Sequence, residues 1–324
     1  MSEIQTVDAT FAGQVDNFPV DSERLPVVLA YKNPANIADL VLGRTPSVTS
    51  RLFDYFEIDK AQTLTITDSA IGRTSEPNYI EQQGTLKQSS VNPYFLQTVV
   101  LQSSINDAGG RGVDPLTRAS EFVISMVELD RERRVAEMMY NLNNYLSTQR
   151  TSLTGTDKWT DYTNSDPVGD IKTAIETTFI QANAIVMGKN VWNVLRRHPK
   201  IVGACNPNSL NTEGFATIEA FKTLFDLTNV YIGSSRANLI AKGLTPTYSY
   251  LWGGHCAVYY QEPMASSING MPTFGYTVPY LGRRVVTIPD QKMGGYGGYN
   301  VVAGESLKEL IICPDLGYLM RDVI

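Results

Sequence analysis

The chain has 324 residues and a formal net charge of −6, with 43% hydrophobic and 19% charged residues, so a compact fold of this size would hide about 75% of its unfolded surface. That composition excludes global disorder, and an isoelectric point near 5.1 argues against a partner held mainly through phosphate contacts, because such affinity comes from Lys and Arg displacing counterions. No apolar run approaches the roughly 18 residues of a membrane span, and the opening MSEIQTVDATF lacks the basic and apolar regions of a signal peptide, so a cytosolic chain with no membrane partner is expected. Cys205, Cys256 and Cys313 are widely spaced and form no CxxC pair, which predicts buried thiols rather than a disulfide framework or a zinc site.

In chain order, residues 1–25 carry Glu3, Asp8, Asp16, Asp21 and Glu23 against Arg24 alone. Their few core-type residues, Ile4, Val7, Phe11, Val15, Phe18 and Val20, are scattered among acids and polar groups. Such a segment is disordered by itself, and a neighbouring subunit is the expected surface that orders it. Pro26, Pro34 and Pro46 punctuate the next stretch, which ends in Leu52, Phe53, Tyr55 and Phe56. Over 61–100, Leu64 and Ile66 alternate with threonines, Gly72 and Pro77 mark a tip, and Tyr79 and Ile80 open a return strand. The segment reads either as a surface meander or as a hairpin that projects and finds support elsewhere, since it has little to bury near its tip.

Asp114 and Pro115 form a cap and first-turn pair, after which neither Gly nor Pro occurs until Gly155. One long helix is predicted. Phe122, Met126 and Leu129, then Val135, Met139 and Leu142, are read as its apolar face, with the charged run 130–134 mostly toward solvent. A second helix starts at Asp166-Pro167 and places Val168, Ile171, Ile175 and Phe179 on one side. A buried strand over 184–187, a helix over 189–198 ended by Pro199, a helix carrying Ile218, Phe221, Leu224 and Phe225, and a strand over 230–232 complete a compact α/β unit. The remainder reads as strands over 257–260, 273–278, 284–288 and a closing 310–312.

A catalytic reading finds few groups. His198 sits at a helix end beside Arg196, Arg197 and Lys200 and reads as a capping or surface residue; neither it nor His255 lies in HExxH. Gly294, Gly295, Gly297 and Gly298 match neither phosphate-loop spacing and read as a turn between strands. Gly304-Glu305-Ser306 begins a nucleophile elbow, but Lys308 stands where glycine is required. Arg196, Arg197 and Lys200, and next Arg283-Arg284, are the densest positive spots, and without interleaved aromatics they read as salt-bridge partners. The expected catalytic, cofactor-binding and metal-binding residues are therefore none, and no cofactor is expected.

The order of elements is specific: acidic arm, long hairpin, one glycine-free helix, α/β unit, β-rich end. With Phe53-Asp54-Tyr55-Phe56, DPLTRASEFVISMVELDRERRVAEMMYN from Asp114, SLTGTDKWTDYTNSDPVGDI from Ser152, ANAIVMGKNVWNVLRRHPKIVGA from Ala182 and PTFGYTV from Pro272, it resembles the major capsid proteins of tailed bacteriophages, which share the Hong Kong 97 capsid fold. The resemblance covers nearly the whole chain. It implies an α+β fold with an N-terminal arm over 1–45, an extended E-loop over 58–100, a peripheral P-domain of 46–57, 101–154 and 263–306 with a spine helix over 114–145, and an axial A-domain of 155–262 and 307–324. It further implies self-assembly as hexamers and pentamers of an icosahedral head shell around double-stranded DNA, contacted weakly and non-specifically. Virion localisation, assembly in the host bacterial cytoplasm, a separate scaffolding protein, a portal and decoration proteins belong to the same expectation, as does the absence of maturation cleavage of this chain. An encapsulin-like nanocompartment shell and an unrelated soluble α+β enzyme are the rival readings.

Overall fold

A computed structural model of the chain describes residues 20–58, 68–72, 75–79, 84–109, 112, 114–206, 214–238, 240, 243, 245–265 and 271–324. The strand expected around Leu64 and Ile66 lies outside the described residues, as do residues 1–19. Tyr79 is described and irregular, the expected Ile80 lies outside the described residues, and the described return strand is Gly84–Ser90.

The chain is anchored on its own subunit from Asp21 onward. The Asp21 N–H donates to the Val285 carbonyl (3.0 Å), and the Asp21 carboxylate accepts from Thr287 Oγ1 (2.7 Å) and Arg24 (2.7 Å). A short helix α1 (Leu25–Ala30) follows, with Pro26 in its first turn and Val28 fully buried against Val123, Ile124 and Val285. Helix α2 (Ala38–Val41) sends Val41 and Leu42 into a second core. The end of the expected independent arm, 20–25, is thus part of this subunit's fold. Strands β1 (Leu52–Ile58) and β2 (Gly84–Ser90) form an antiparallel ribbon, Leu52 opposite Ser90 and Phe56 opposite Leu86.

Strand β3 (Asn92–Leu101) leads through helix α3 (Gln102–Ala108) to helix α4 (Pro115–Met139), about 37 Å long at 1.5 Å per residue. Asp114 caps α4 by accepting from the backbone N–H groups of Leu116 (3.1 Å) and Thr117 (3.2 Å). The helix stops at Met139, short of the expected 145. Tyr145 Oη donates to the Met139 carbonyl (2.7 Å), and the Asn141 side chain accepts from the Asn143 N–H (3.0 Å) to open a separate turn, Leu142–Asn144. The buried face also departs from expectation. It is Leu116, Ser120, Val123, Ile124, Val127, Arg131, Glu132, Val135, Ala136 and Met139, while Phe122 and Met126 point outward. Arg131 and Glu132, read as solvent-facing, occupy inner positions.

Helix α4 lies on one face of an antiparallel sheet ordered β10–β11–β3, with β10 (Gly275–Asp290) and β11 (Gly298–Ile311). The two strands expected over 273–278 and 284–288 are one strand. Leu281 (φ 58°) and Gly282 (φ 71°) form a bulge between the paired halves, so the ladder resumes at Arg283 after Tyr280. Residues 310–311 end β11, and the closing strand is instead β12 (Gly317–Arg321).

Strand β12 joins a five-stranded sheet ordered β4–β12–β9–β5–β6, made with β4 (Arg150–Ser152), β5 (Ala184–Gly188), β6 (Asn229–Gly233) and β9 (Cys256–Tyr259). A small ribbon, β7 (Arg236–Asn238) with β8 (Tyr248–Tyr250), stands beside it. Helices α5 (Pro167–Thr177), α6 (Lys189–Leu195), α7 (Pro199–Cys205) and α8 (Ile218–Phe225) supply a core on one face through Ile171, Trp192, Ile201 and Phe221 against Ile185, Met187 and Val258. The other face packs Val186, Ala257, Tyr259 and Leu319 against Leu42, Val135 and Met139. Burial on both faces explains the uninterrupted apolar sequence of β5. Phe179 lies past the end of α5 and joins this second core rather than the Ile171 face.

Candidate assembly surfaces

The groups that resemble catalytic parts are structural. His198 is fully buried, and it caps α7 by accepting the Lys200 N–H at Nδ1 (3.2 Å). Its proton therefore sits on Nε2, which donates to Ser165 Oγ (3.0 Å), and that hydroxyl donates to the Asp161 carbonyl (2.6 Å). A serine whose histidine partner is the donor has no base to activate it. Burial, then the Lys200 charge, holds the His198 pKa below its usual value, in keeping with the neutral ring. This differs from the expected role at a helix C-terminus or on the surface: His198 is interior and caps the start of the following helix. His255 accepts the Asp322 N–H at Nδ1 (3.0 Å).

Ser306 lies inside β11 opposite Tyr280 and Pro93, not at a strand-to-helix turn. The glycine run closes the β10–β11 hairpin, with Gly294 and Gly297 at positive φ. Of the three thiols expected to be buried, Cys256 is, while Cys205 and Cys313 are partly buried; none is in a disulfide, and burial raises the thiol pKa of Cys205 and Cys256. Among the described residues no group of three His, Cys, Asp or Glu could hold a metal ion, and no helix is long and apolar enough to cross a membrane.

Of the basic residues expected to form ion pairs, Arg283 and Lys200 do so, whereas Arg196 and Arg197 lie over the Phe215 ring and have no ion pair among the described residues; Arg283 belongs to a clamp the sequence did not reveal. Arg44 grips Glu305 through both terminal nitrogens (2.7 and 3.0 Å) and Asp39 through Nε (2.7 Å). Arg131 bonds to Asp39 and to Thr277 Oγ1. Arg283 pairs with Glu128 (2.5 Å) and donates to the carbonyls of Val28 and Tyr31. Arg134 reaches Glu309 (3.0 Å) and stacks over Tyr94. Burial works to raise the Asp39 and Glu305 carboxyls, but the arginines outweigh it: Asp39 falls to about 2 and Glu305 also lies below its usual value. Glu132, with no exposure, accepts from the N–H groups of Ile37 (2.8 Å) and Ala38 (2.8 Å) and from Trp252 Nε1 (2.6 Å). Burial pushes its pKa up despite those donors. The clamp fastens residues 28–44 to α4, β10 and β11. The signal for it was the spacing of Val127, Arg131 and Val135, four apart on one helical face.

Among the described residues, apolar side chains are left exposed on the ribbon, on the sheet and on α4. In the β1–β2 ribbon, Leu52, Phe56 and Leu86 share a face and Leu86 is 57% exposed; the opposite face sends Phe53 to Val278 and Tyr280. On the three-stranded sheet, the face away from α4 shows Phe95, Val99 and Ile288. On α4 itself, Phe122 and Met126 face outward. Arg196 and Arg197 bracket the exposed ring of Phe215 (4.7 and 5.3 Å), and Lys200 donates to the Ser165 carbonyl (2.6 Å) and lies 3.6 Å from Asp166. Such areas suit a subunit that buries them against copies of itself.

No protein-family model matches the chain. The major capsid protein of Pseudomonas phage JBD67 is 36% identical over 307 residues, 95% of this chain and 98% of that protein. A phage-related protein from Bordetella bronchiseptica RB50 superposes with a TM-score of 0.72 at 20% identity, over 94% of this chain and 97% of that one. The capsid of a native GTA particle gives a TM-score of 0.51 at 12% identity, over 90% and 91%. The fold is accordingly of the Hong Kong 97 type, and the role is structural rather than enzymatic. With that identity extending over nearly the full length of both sequences, the chain belongs to the family of phage major capsid proteins.

Proposed function

We propose that copies of this chain form the icosahedral head shell of a tailed phage, as hexamers and pentamers around double-stranded DNA. The observation that carries the reading is the β1–β2 ribbon, whose Leu52, Phe56 and Leu86 face is left exposed by the described residues of its own subunit. In this reading residues 1–45 are the arm, pinned from Asp21 on, and the ribbon with the residues between its strands is the E-loop. That loop was expected over 58–100; β3, pairing with β11, is better grouped with the P-domain. The P-domain also holds α4 as spine helix and the β10–β11 hairpin, and the five-stranded sheet with α5–α8 is the A-domain. Contacts that are weak singly become strong through closure and repetition. Assembly takes place in the host cytoplasm with a separate scaffolding protein and a portal, and DNA is contacted weakly by an acidic chain. Electron microscopy of the expressed chain should show closed shells, and DNA should fill those recovered from virions. Soluble monomers under all conditions would overturn the reading, and a packaged enzyme instead of a genome would replace it with a nanocompartment.

A further inference from the structure

Arg196 and Arg197 follow directly on helix α6, and the chain returns to them just before α8. The Ala216 N–H donates to the Arg196 carbonyl (2.8 Å), and Thr217 caps α8 by accepting from the Ala220 N–H (3.3 Å), so the backbone beside Phe215 is held from both directions. The Phe215 ring, 56% exposed, thereby meets both guanidinium groups, whose carbons lie 4.7 and 5.3 Å from its centre. We propose that Arg196, Phe215 and Arg197 form a nucleic-acid contact site, through which each subunit touches the phosphate backbone of enclosed DNA. The biological role of the site rests on the shell reading above.

The first support is uncompensated charge. Two cations share one ring with no carboxylate paired to either among the described residues, and Arg196 Nε is buried without a hydrogen-bond partner. The negative face of the ring offsets part of their repulsion. A guanidinium that uses its flat face in this way keeps its terminal N–H groups for an anion, and phosphate suits that fork. Lys200 differs, because its ammonium already donates to the Ser165 carbonyl and lies 3.6 Å from Asp166. The second support is spacing. The two guanidinium carbons are no more than about 10 Å apart, and a DNA strand carries a phosphate about every 3.4 Å along its axis, so one strand reaches both. A lone carboxylate would neutralise only one of them. The third support is contrast with the rest of the chain. At a net charge of −6 most of the surface repels DNA, which concentrates contact where arginines stand without acids. Phe215 is the aromatic that the basic cluster lacks in sequence, and only folding brings it there.

The test is fluorescence anisotropy of a labelled, random-sequence DNA duplex titrated at low salt with the unassembled full-length chain. Arg196→Gln with Arg197→Gln should weaken binding at least tenfold and lower the slope of log affinity against log salt by about 2, at roughly 0.9 per phosphate contact. Lys87→Gln with Lys172→Gln removes the same charge from exposed, Glu-paired lysines elsewhere and should change affinity less than twofold. Phe215→Ala keeps both charges and should still weaken binding, because the ring positions them. Circular dichroism should show all three variants folded. No binding by the wild type, an equal loss in the lysine control, or full affinity in the arginine or Phe215 variant overturns the proposal. Displacement of the duplex by polyglutamate at matched charge also overturns it, since the site would then fit an acidic protein segment. Because the subunits are unassembled, the site can fail while shells form, and DNA can bind where no shell forms, so the two readings fail separately.

Discussion

Glu132 shows how one buried charge ties together segments distant in the chain. Its three donors come from Ile37, Ala38 and Trp252, 95, 94 and 120 residues away. Glu132→Ala leaves all three without partners in a dry site and should destabilise the subunit by about 3 kcal/mol or more, measured by urea unfolding under conditions that keep it unassembled. Unchanged stability would show that water replaces the carboxylate. Asp39 makes the clamp sensitive to acid. Its folded pKa of about 2 lies below the usual 3.8, so its contribution is present above about pH 4 and is lost as pH falls toward 2. The wild-type chain should therefore lose more stability than Asp39→Asn between pH 4 and pH 2, and parallel stability-versus-pH curves would contradict that assignment. Glu132, with its raised pKa, has the opposite sign: it costs stability as pH rises past its unfolded value, so the comparison needs the variant and not the wild-type curve alone.

At the scale of elements, the two sheets are held by close approaches and by one bend. Trp252 lies against Gly233 at the end of β6, where an added Cβ would sit 1.9 Å from the indole Cδ1. Gly233→Ala must displace a ring whose Nε1 is bonded to Glu132, so a loss of about 1–3 kcal/mol is expected. Tryptophan fluorescence should shift with it, and an unchanged spectrum and melting temperature would refute the contact. In β10, Gly282 takes a left-handed turn at little steric cost, whereas Leu281 does so against its own Cβ. The bulge turns Arg283 toward Glu128, Glu305 and the carbonyls of α1, which is how a bent strand anchors the incoming chain.

For the whole molecule, the question is which surfaces serve other subunits. Phe56→Asp with Leu86→Asp places charge on the exposed ribbon face and touches no core residue. Circular dichroism and subunit melting should match the wild type, while shells counted by electron microscopy should be lost. Normal shells would remove the ribbon from the assembly argument. Lys87, on the other face of the ribbon, is half exposed and paired with Glu57, whose hydrogen bond raises the amine's pKa. A protonated, hydrated amine is a poor nucleophile. Mature particles, boiled and reduced, should run as one band at 35.8 kDa, and a ladder would show that Lys87 or another amine has been joined to a neighbour.

Local chemistry determined much of this protein from sequence alone. Asp114-Pro115 and Asp166-Pro167 mark true helix starts, and 184–187 is a strand buried on both sides. Each depends on residues a few positions apart, so one stretch of sequence holds the whole signal. Tertiary structure decided what depends on partners far along the chain. The inner face of α4 contains Arg131 and Glu132 because Asp39, Ile37 and Trp252 satisfy their charges and hydrogen bonds, which leaves Phe122 and Met126 outside. Two expected strands became one because β11 pairs across the bulge at Leu281, and Gly317–Arg321 became the closing strand because β9 and β4 stand ready on either side of it. Polar groups can be buried only where their partners converge, and that convergence, 261 residues apart for Arg44 and Glu305, exists only once the chain has folded.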